Sequence, residues 1–142
     1  MTTDARALVD TGFLAALCDE RDSHHAWART QAGIYRGPWL TCEACVSEIA
    51  HLLSYALPPR SHQIYRLLAD GLVVSQHLLP EQLSRVLSET NRYRSRHVDF
   101  ADASLVVLSD EFPRLPVITT DAADFAVFFR GRSNRTLVTP PR

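Results

Sequence analysis

Asp10 closes the short apolar run Ala7-Leu8-Val9, Asp121 follows Val117-Ile118-Thr119, and Asp99-Phe-Ala-Asp102 stands at the mouth of an apolar stretch ending at Leu108. Glu48 lies on a helical segment after another short run, Trp39-Leu40-Thr41. In an open parallel sheet, ligands bind beyond the carboxyl ends of the strands, so acids at these positions are candidates for chemistry. Three or four carboxylates gathered there repel one another unless a cation lets them stay ionised together. Oxygen-only ligands suit Mg2+ or Mn2+, which divides its coordination between carboxylates, water and substrate phosphate. Such a metal lowers the pKa of an attacking water and stabilises charge on phosphate, as phosphodiester hydrolysis requires. Read alone, Asp99 and Asp102 also fit an N-cap and a favourable charge in the first helical turn, with no catalytic meaning.

Positioning these acids falls to an alternation of short strands and helices. After Ala7-Leu8-Val9, Thr11 starts a helix with Phe13, Leu14 and Leu17 on its apolar face, and Asp22 or Ser23 starts another carrying Ala26, Trp27 and Thr30. Gly37-Pro38 precedes the second strand, and Cys42 to Tyr55 reads as a helix with Cys45, Ile49, Leu52 and Leu53 inward. Pro58-Pro59 opens a further helix through Leu68, capped by Gly71 and followed by the strand Leu72-Val73-Val74. Pro80 starts an amphipathic helix with Leu83, Val86, Leu87 and Thr90 inside and Arg85, Arg92 and Arg96 on a shared outer face. The helix bearing Asp102 runs to about Ser109, Asp121-Ala-Ala-Asp124 caps a short helix through Phe128, and Thr136-Leu137-Val138 is the last strand. Strands this short and apolar predict an α/β fold, a mostly parallel sheet covered on both faces.

The 142 residues suit one domain, residues 1–142, and 46% hydrophobic with 22% charged residues is ordinary for a globular protein. No apolar run reaches the roughly 18 residues of a membrane span, and Met1-Thr2-Thr3-Asp4 does not resemble a secretory leader, so a cytoplasmic protein with no membrane partner is expected. A net charge of -1 does not announce binding of nucleic acid by bulk charge. All 15 basic residues are arginine, which removes Schiff-base and phosphate-loop lysine chemistry, and the five scattered glycines form no phosphate cradle.

Several sharper motifs give way to plainer readings. Cys42-x-x-Cys45 invites a zinc or redox reading, but it lacks two further zinc ligands, a thioredoxin-like pair normally belongs to a different strand–helix context, and the pair reads as small buried packing; with Cys18 the thiol count is odd. Glu48-x-x-His51 is one half of a di-iron motif that needs two, which leaves His51 at the surface or behind the ligands. His24-His25 are polar helix residues, and Ser104 has no nucleophile elbow around it. Arg92, Arg94 and Arg96, with Arg130, Arg132 and Arg135, suit either phosphate contact or a solvated face.

The segments Leu8-Val9-Asp10-Thr11, Thr41-Cys-Glu-Ala-Cys-Val-Ser-Glu48, Asp99-Phe-Ala-Asp102-Ala-Ser-Leu and Thr119-Thr-Asp121-Ala-Ala-Asp124-Phe125 together resemble PIN-domain ribonucleases, most closely the VapC-type toxins of toxin–antitoxin pairs. The match covers nearly the whole chain in order and spacing. It implies a five-stranded parallel sheet and a Mg2+-dependent endoribonuclease site built from Asp10, Glu48, Asp102 and Asp121. Asp10 and Asp102 would be the most direct metal ligands, with Asp121 direct or through water and Glu48 water-mediated or orienting the nucleophile. Asp124 would be an accessory acid, Asp99 a cap or supporting group, and Thr11 and Thr119 would hold carboxylates by hydrogen bonds. Gly12 departs from the family, where serine is frequent, and removes that hydroxyl. Glu43 is a competing acid on the same helix but projects from a different face than Glu48. RNA as substrate, a cognate VapB-type antitoxin and a homodimer are the implied partners. Alternatives are a Mg2+-dependent DNA nuclease or phosphatase, and a non-catalytic nucleic-acid or protein-binding module of the same fold.

Overall fold

The computed structural model describes residues 3–96, 98–132 and 134–142. Five strands form one all-parallel sheet: β1 (Ala7–Val9), β2 (Trp39–Cys42), β3 (Val73–Gln76), β4 (Val117–Ile118) and β5 (Leu137–Val138), in the order β3-β2-β1-β4-β5. Parallel neighbours need crossovers, supplied by α1 (Thr11–Cys18), α2 (His25–Ile34), α3 (Glu43–Ser54), α4 (Ser61–Ala69), α5 (Pro80–Arg92), α6 (Phe100–Glu111) and α7 (Ala122–Phe128). A short 3-10 turn, Arg94–Arg96, follows α5.

Central β1 is wholly buried, which is why its three residues are apolar without alternation. One core layer packs Phe13, Leu14, Ile49, Leu53 and Ile64 against Ala7 and Val9. The other packs Leu105, Val106, Leu108, Phe125 and Phe128 against Leu8 and Leu40. Phe13 meets the Trp39 and Trp27 rings edge-on at 5.6 and 6.3 Å, a geometry that favours the electropositive ring edge over a π face. β1 thus holds the sheet centre, and its neighbours β2 and β4 carry the two chain segments that flank Asp10.

The expected element order holds, with boundary shifts at β3, which starts at Val73 rather than Leu72, and at α2, which starts at His25. Some expected inward faces are wrong. Leu52, Leu83 and Leu87 are 50%, 43% and 56% exposed. On α5 the inward stripe is Gln82 and Val86. Val86 joins Ala103 and Val107 of α6, and the Gln82 side-chain oxygen accepts from the Leu79 amide at 2.8 Å, which accounts for a buried polar residue at the helix start. Helical periodicity marks two stripes on this helix, and only contact with α6 selects one.

The arginines do not share one outer face either. Arg85 pairs with Asp110 and Glu111, and Arg96 lies beyond the helix in the 3-10 turn. Arg92 stacks 5.3 Å over the Tyr93 ring. Arg132 is enclosed by Glu89 and Asp110, and Arg135 pairs with Asp110, so these two are structural ions rather than a solvated or phosphate-facing surface. No helix among the described residues is long and apolar enough to cross a membrane.

Candidate active site

The carboxyl ends of β1 and β4 lie side by side, and each passes directly into a helix capped by an aspartate. Asp10 Oδ1 accepts the Phe13 amide at 2.9 Å, satisfying an N–H that the first turn of α1 would leave unpaired. Its second oxygen, Oδ2, accepts from the Thr119 hydroxyl. The same Thr119 oxygen accepts the Asp121 amide at 2.9 Å, so one hydroxyl ties the acids following two neighbouring strands. Burial pushes the Asp10 carboxyl up to about 6, against the opposing pull of the Thr119 and Phe13 hydrogen bonds and with help from the Asp121 charge.

Asp121 caps α7 by accepting the Asp124 amide at 3.2 Å. Its pKa is raised, first by burial and further by the Asp124 charge, while Arg96 draws it down. Arg96 itself pairs with Asp124 at 3.0 Å, so Asp124 is the acid it contacts directly. Across the site Asp99 caps α6, accepting the Asp102 amide at 2.8 Å. The capping reading of Asp99 and the placement of Asp102 in the first turn are therefore both present in one helix start.

Asp102 is partly buried and is the most perturbed carboxyl of the group. Burial, then the charges of Asp99, Asp10, Asp121 and Glu48, push it up to about 8. The acids of four chain segments thus act on one carboxyl, which is what convergence at the sheet edge means physically. Glu48 is half-buried on α3 and, with Ser47, His51, Asp99 and Phe100, lines an open cleft of about 600 Å³ beside this cluster. His51 is an exposed wall of that cleft, its ring 5.0 Å from Tyr55. Glu43 lines the same cleft and pairs with His77 at 2.7 Å.

The two threonines part company. Thr119 holds a carboxylate, whereas the Thr11 hydroxyl is buried without a hydrogen-bond partner among the described residues, next to the Cys45 thiol. Thr120, which the sequence reading passed over, takes a place near Asp10. A Cβ on Gly12 would fall 2.3 Å from the Thr120 hydroxyl and 3.6 Å from Asp10 Oδ1. The missing side chain at position 12 therefore leaves room for a hydroxyl from across the site, and a glycine facing a Thr-Thr-Asp strand end is the only sequence signal of it.

An oxygen-only set whose charges together raise the Asp102 pKa fits a hard divalent cation better than a thiol- or imidazole-seeking metal. As the side chains stand, no three His, Cys, Asp or Glu residues among those described converge to ligating distance. Asp102 and Asp121 are only partly buried.

No family model matches the chain, and no curated protein sequence matches it. Among solved structures, it is similar to the crystal structure of Mycobacterium tuberculosis VapC20, a sarcin–ricin loop cleaving toxin, with 19% identity and a TM-score of 0.74. The similarity covers 85% of this chain and 94% of that one. The five-stranded parallel sheet and its flanking helices form a PIN-like fold.

Proposed function

We propose that the protein is a metal-dependent endoribonuclease toxin. The observation that carries this reading is the gathering of Asp10, Asp99, Asp121 and Glu48 around Asp102, whose pKa burial and their charges push up, at the strand ends of a fold shared with a sarcin–ricin loop cleaving toxin. A Mg2+ or Mn2+ ion held by Asp10, Asp102 and Asp121 would supply charge neutralisation and Lewis acidity toward water and phosphate oxygen. Thr119 fixes the Asp10 carboxylate toward this centre and locks the Asp121 backbone beside it. Glu48 faces the open cleft, where it orients an attacking water or accepts its proton. Arg96 lies at the Asp124 side and offers a cation to a phosphate approaching the same edge. On this reading the protein acts with a neutralising VapB-type antitoxin and as a homodimer.

The test is cleavage of structured and single-stranded RNA by the purified protein with Mg2+ or Mn2+, beside DNA and a phosphomonoester. RNA cleavage should require the metal, stop with EDTA and be lost in Asp102→Asn. Cleavage that survives both chelation and the substitution overturns the mechanism, and hydrolysis of DNA or the monoester alone transfers it to another phosphate enzyme.

A further inference from the structure

We infer that Cys42 and Cys45 form a reversible dithiol–disulfide couple at the start of α3, beneath the first turn of α6. Their sulfurs lie 3.4 Å apart and both are buried. A disulfide bond needs about 2.05 Å, so closing the pair takes a contraction of little more than 1 Å. β2 ends on Cys42, and Cys42 is the N-cap residue of α3, which places the pair at a strand-to-helix junction suited to cysteine redox chemistry.

The two thiols are not equivalent. The Cys45 side chain, with amides of the first helical turn, favours the Cys42 thiolate and holds its pKa below the ordinary value, against burial. Cys45 is raised well above it, first by its contact with Cys42 and then by burial. Cys42, the N-cap residue that reaches a cleft wall, is the attacking sulfur and Cys45, inside the helix, the resolving one. Access follows the same division, because Cys42 forms part of the wall of a cleft with Glu43, Gln76, His77 and Phe100. Among the described residues no third His, Cys, Asp or Glu joins the two sulfurs at ligating distance, which favours thiol exchange over metal binding.

With hydrogen peroxide as oxidant, the Cys42 thiolate attacks one peroxide oxygen, the O–O bond breaks, and Cys42 sulfenic acid forms while the departing hydroxide takes up a proton as water. The Cys45 sulfur then attacks the Cys42 sulfur, the S–O bond breaks, and the hydroxyl leaves as a second water with the Cys45 proton. Two thiols lose two electrons in all and one peroxide is reduced. Both sulfurs also lie near the Ala101 carbonyl, at 3.9 and 4.0 Å, so the bond forms directly under the residue preceding Asp102. Cys18 provides an internal control: it sits in the other core layer, and burial pushes its pKa up to about 11.

The experiment treats the reduced, folded protein with hydrogen peroxide, then denatures it and alkylates the free thiols. The alkylatable count should fall from three thiols to one, with a loss of two hydrogens from the intact mass, full reversal by dithiothreitol and peptide mapping that links Cys42 to Cys45. In Cys45→Ser, Cys42 should instead gain one oxygen and react with dimedone. Three alkylatable thiols after peroxide that fully oxidises added glutathione overturns the proposal, as does any linkage through Cys18 or between chains.

Discussion

The molecule treats its acids in two opposite ways. Around Arg132, charge is matched: Asp110 accepts from Arg132 and Arg135 at 2.9 and 3.0 Å, and Arg85 reaches Asp110 and Glu111. Burial would raise the Asp110 pKa, but these guanidinium groups outweigh it and hold the carboxyl below its usual range. Burial likewise opposes the Arg132 charge, and its hydrogen bonds to Asp110 and Glu89 overcome that. At the sheet edge, burial and neighbouring carboxylates act in the same direction on Asp102, and the pKa climbs to about 8. Similar residue types thus build a self-neutralising clamp in one place and an unbalanced charge in the other. A cluster that serves structure alone would be relieved by an arginine, whereas here Arg96 pairs with Asp124 and only partly offsets the rise at Asp121.

The comparison breaks most visibly in activity. Asp10→Asn should lower RNA cleavage by about 100-fold or more in a single-turnover assay, because the carboxylate that Thr119 positions loses its charge. Arg132→Ala should leave the cleavage chemistry in the surviving folded fraction and instead cost roughly 2–4 kcal/mol of stability in urea titration, since it strands Glu89 beside a cavity and removes one of the three arginines that reach Asp110. Equal losses of activity in both variants at full folding would erase the distinction between the two regions.

Stability against pH sharpens it further. Asp10 and Asp102 bind their protons more tightly when folded, at about 6 and about 8 against an ordinary value of 3.8, so the unfolded chain holds fewer protons between these limits. Their contribution to stability therefore falls as pH rises from about 4, through about 6 for Asp10 and about 8 for Asp102. Asp102→Asn should raise the stability of metal-free protein at pH 8 by about 1–2 kcal/mol, discounted for the partial exposure of the group, with little gain near pH 4. Added Mg2+ should stabilise the wild type more at pH 8 than at pH 5. Thermal melts across this range check both signs, and a wild type that gains stability toward pH 8 without metal contradicts them. The smallest effect belongs to Arg96→Ala, expected to cost under about 1 kcal/mol in the same melts because both its own side chain and that of Asp124 are well exposed.

Much of this was legible in the chain. Short apolar runs ending in acid marked β1 and β4, since a strand buried on both faces has no polar positions to alternate. Asp99 read as a cap, and it caps. The inward faces of α5 and of α3 near Leu52 were not legible, because periodicity reports a stripe without naming the neighbour that covers it. Thr11 and Thr119 looked alike as residues flanking acids. Only the pairing of β1 with β4 set Thr119 against Asp10 across 109 positions, while the first turn of α1 turned Thr11 inward.

What the sequence determined by itself is local and periodic: the order of strands and helices, the helix starts with their aspartate caps, and the supply of acids at strand ends. The tertiary structure decided which charges are neutralised. Coulomb energy depends on distances between segments, such as Arg132 to Glu89 across 43 positions, and burial sets how strongly each pair is felt. Asp110 and Asp102 both sit on α6, eight positions apart, and nothing local distinguishes the matched acid from the unmatched one. The fold does so by bringing arginines to one end of the helix and three other acidic segments to its beginning.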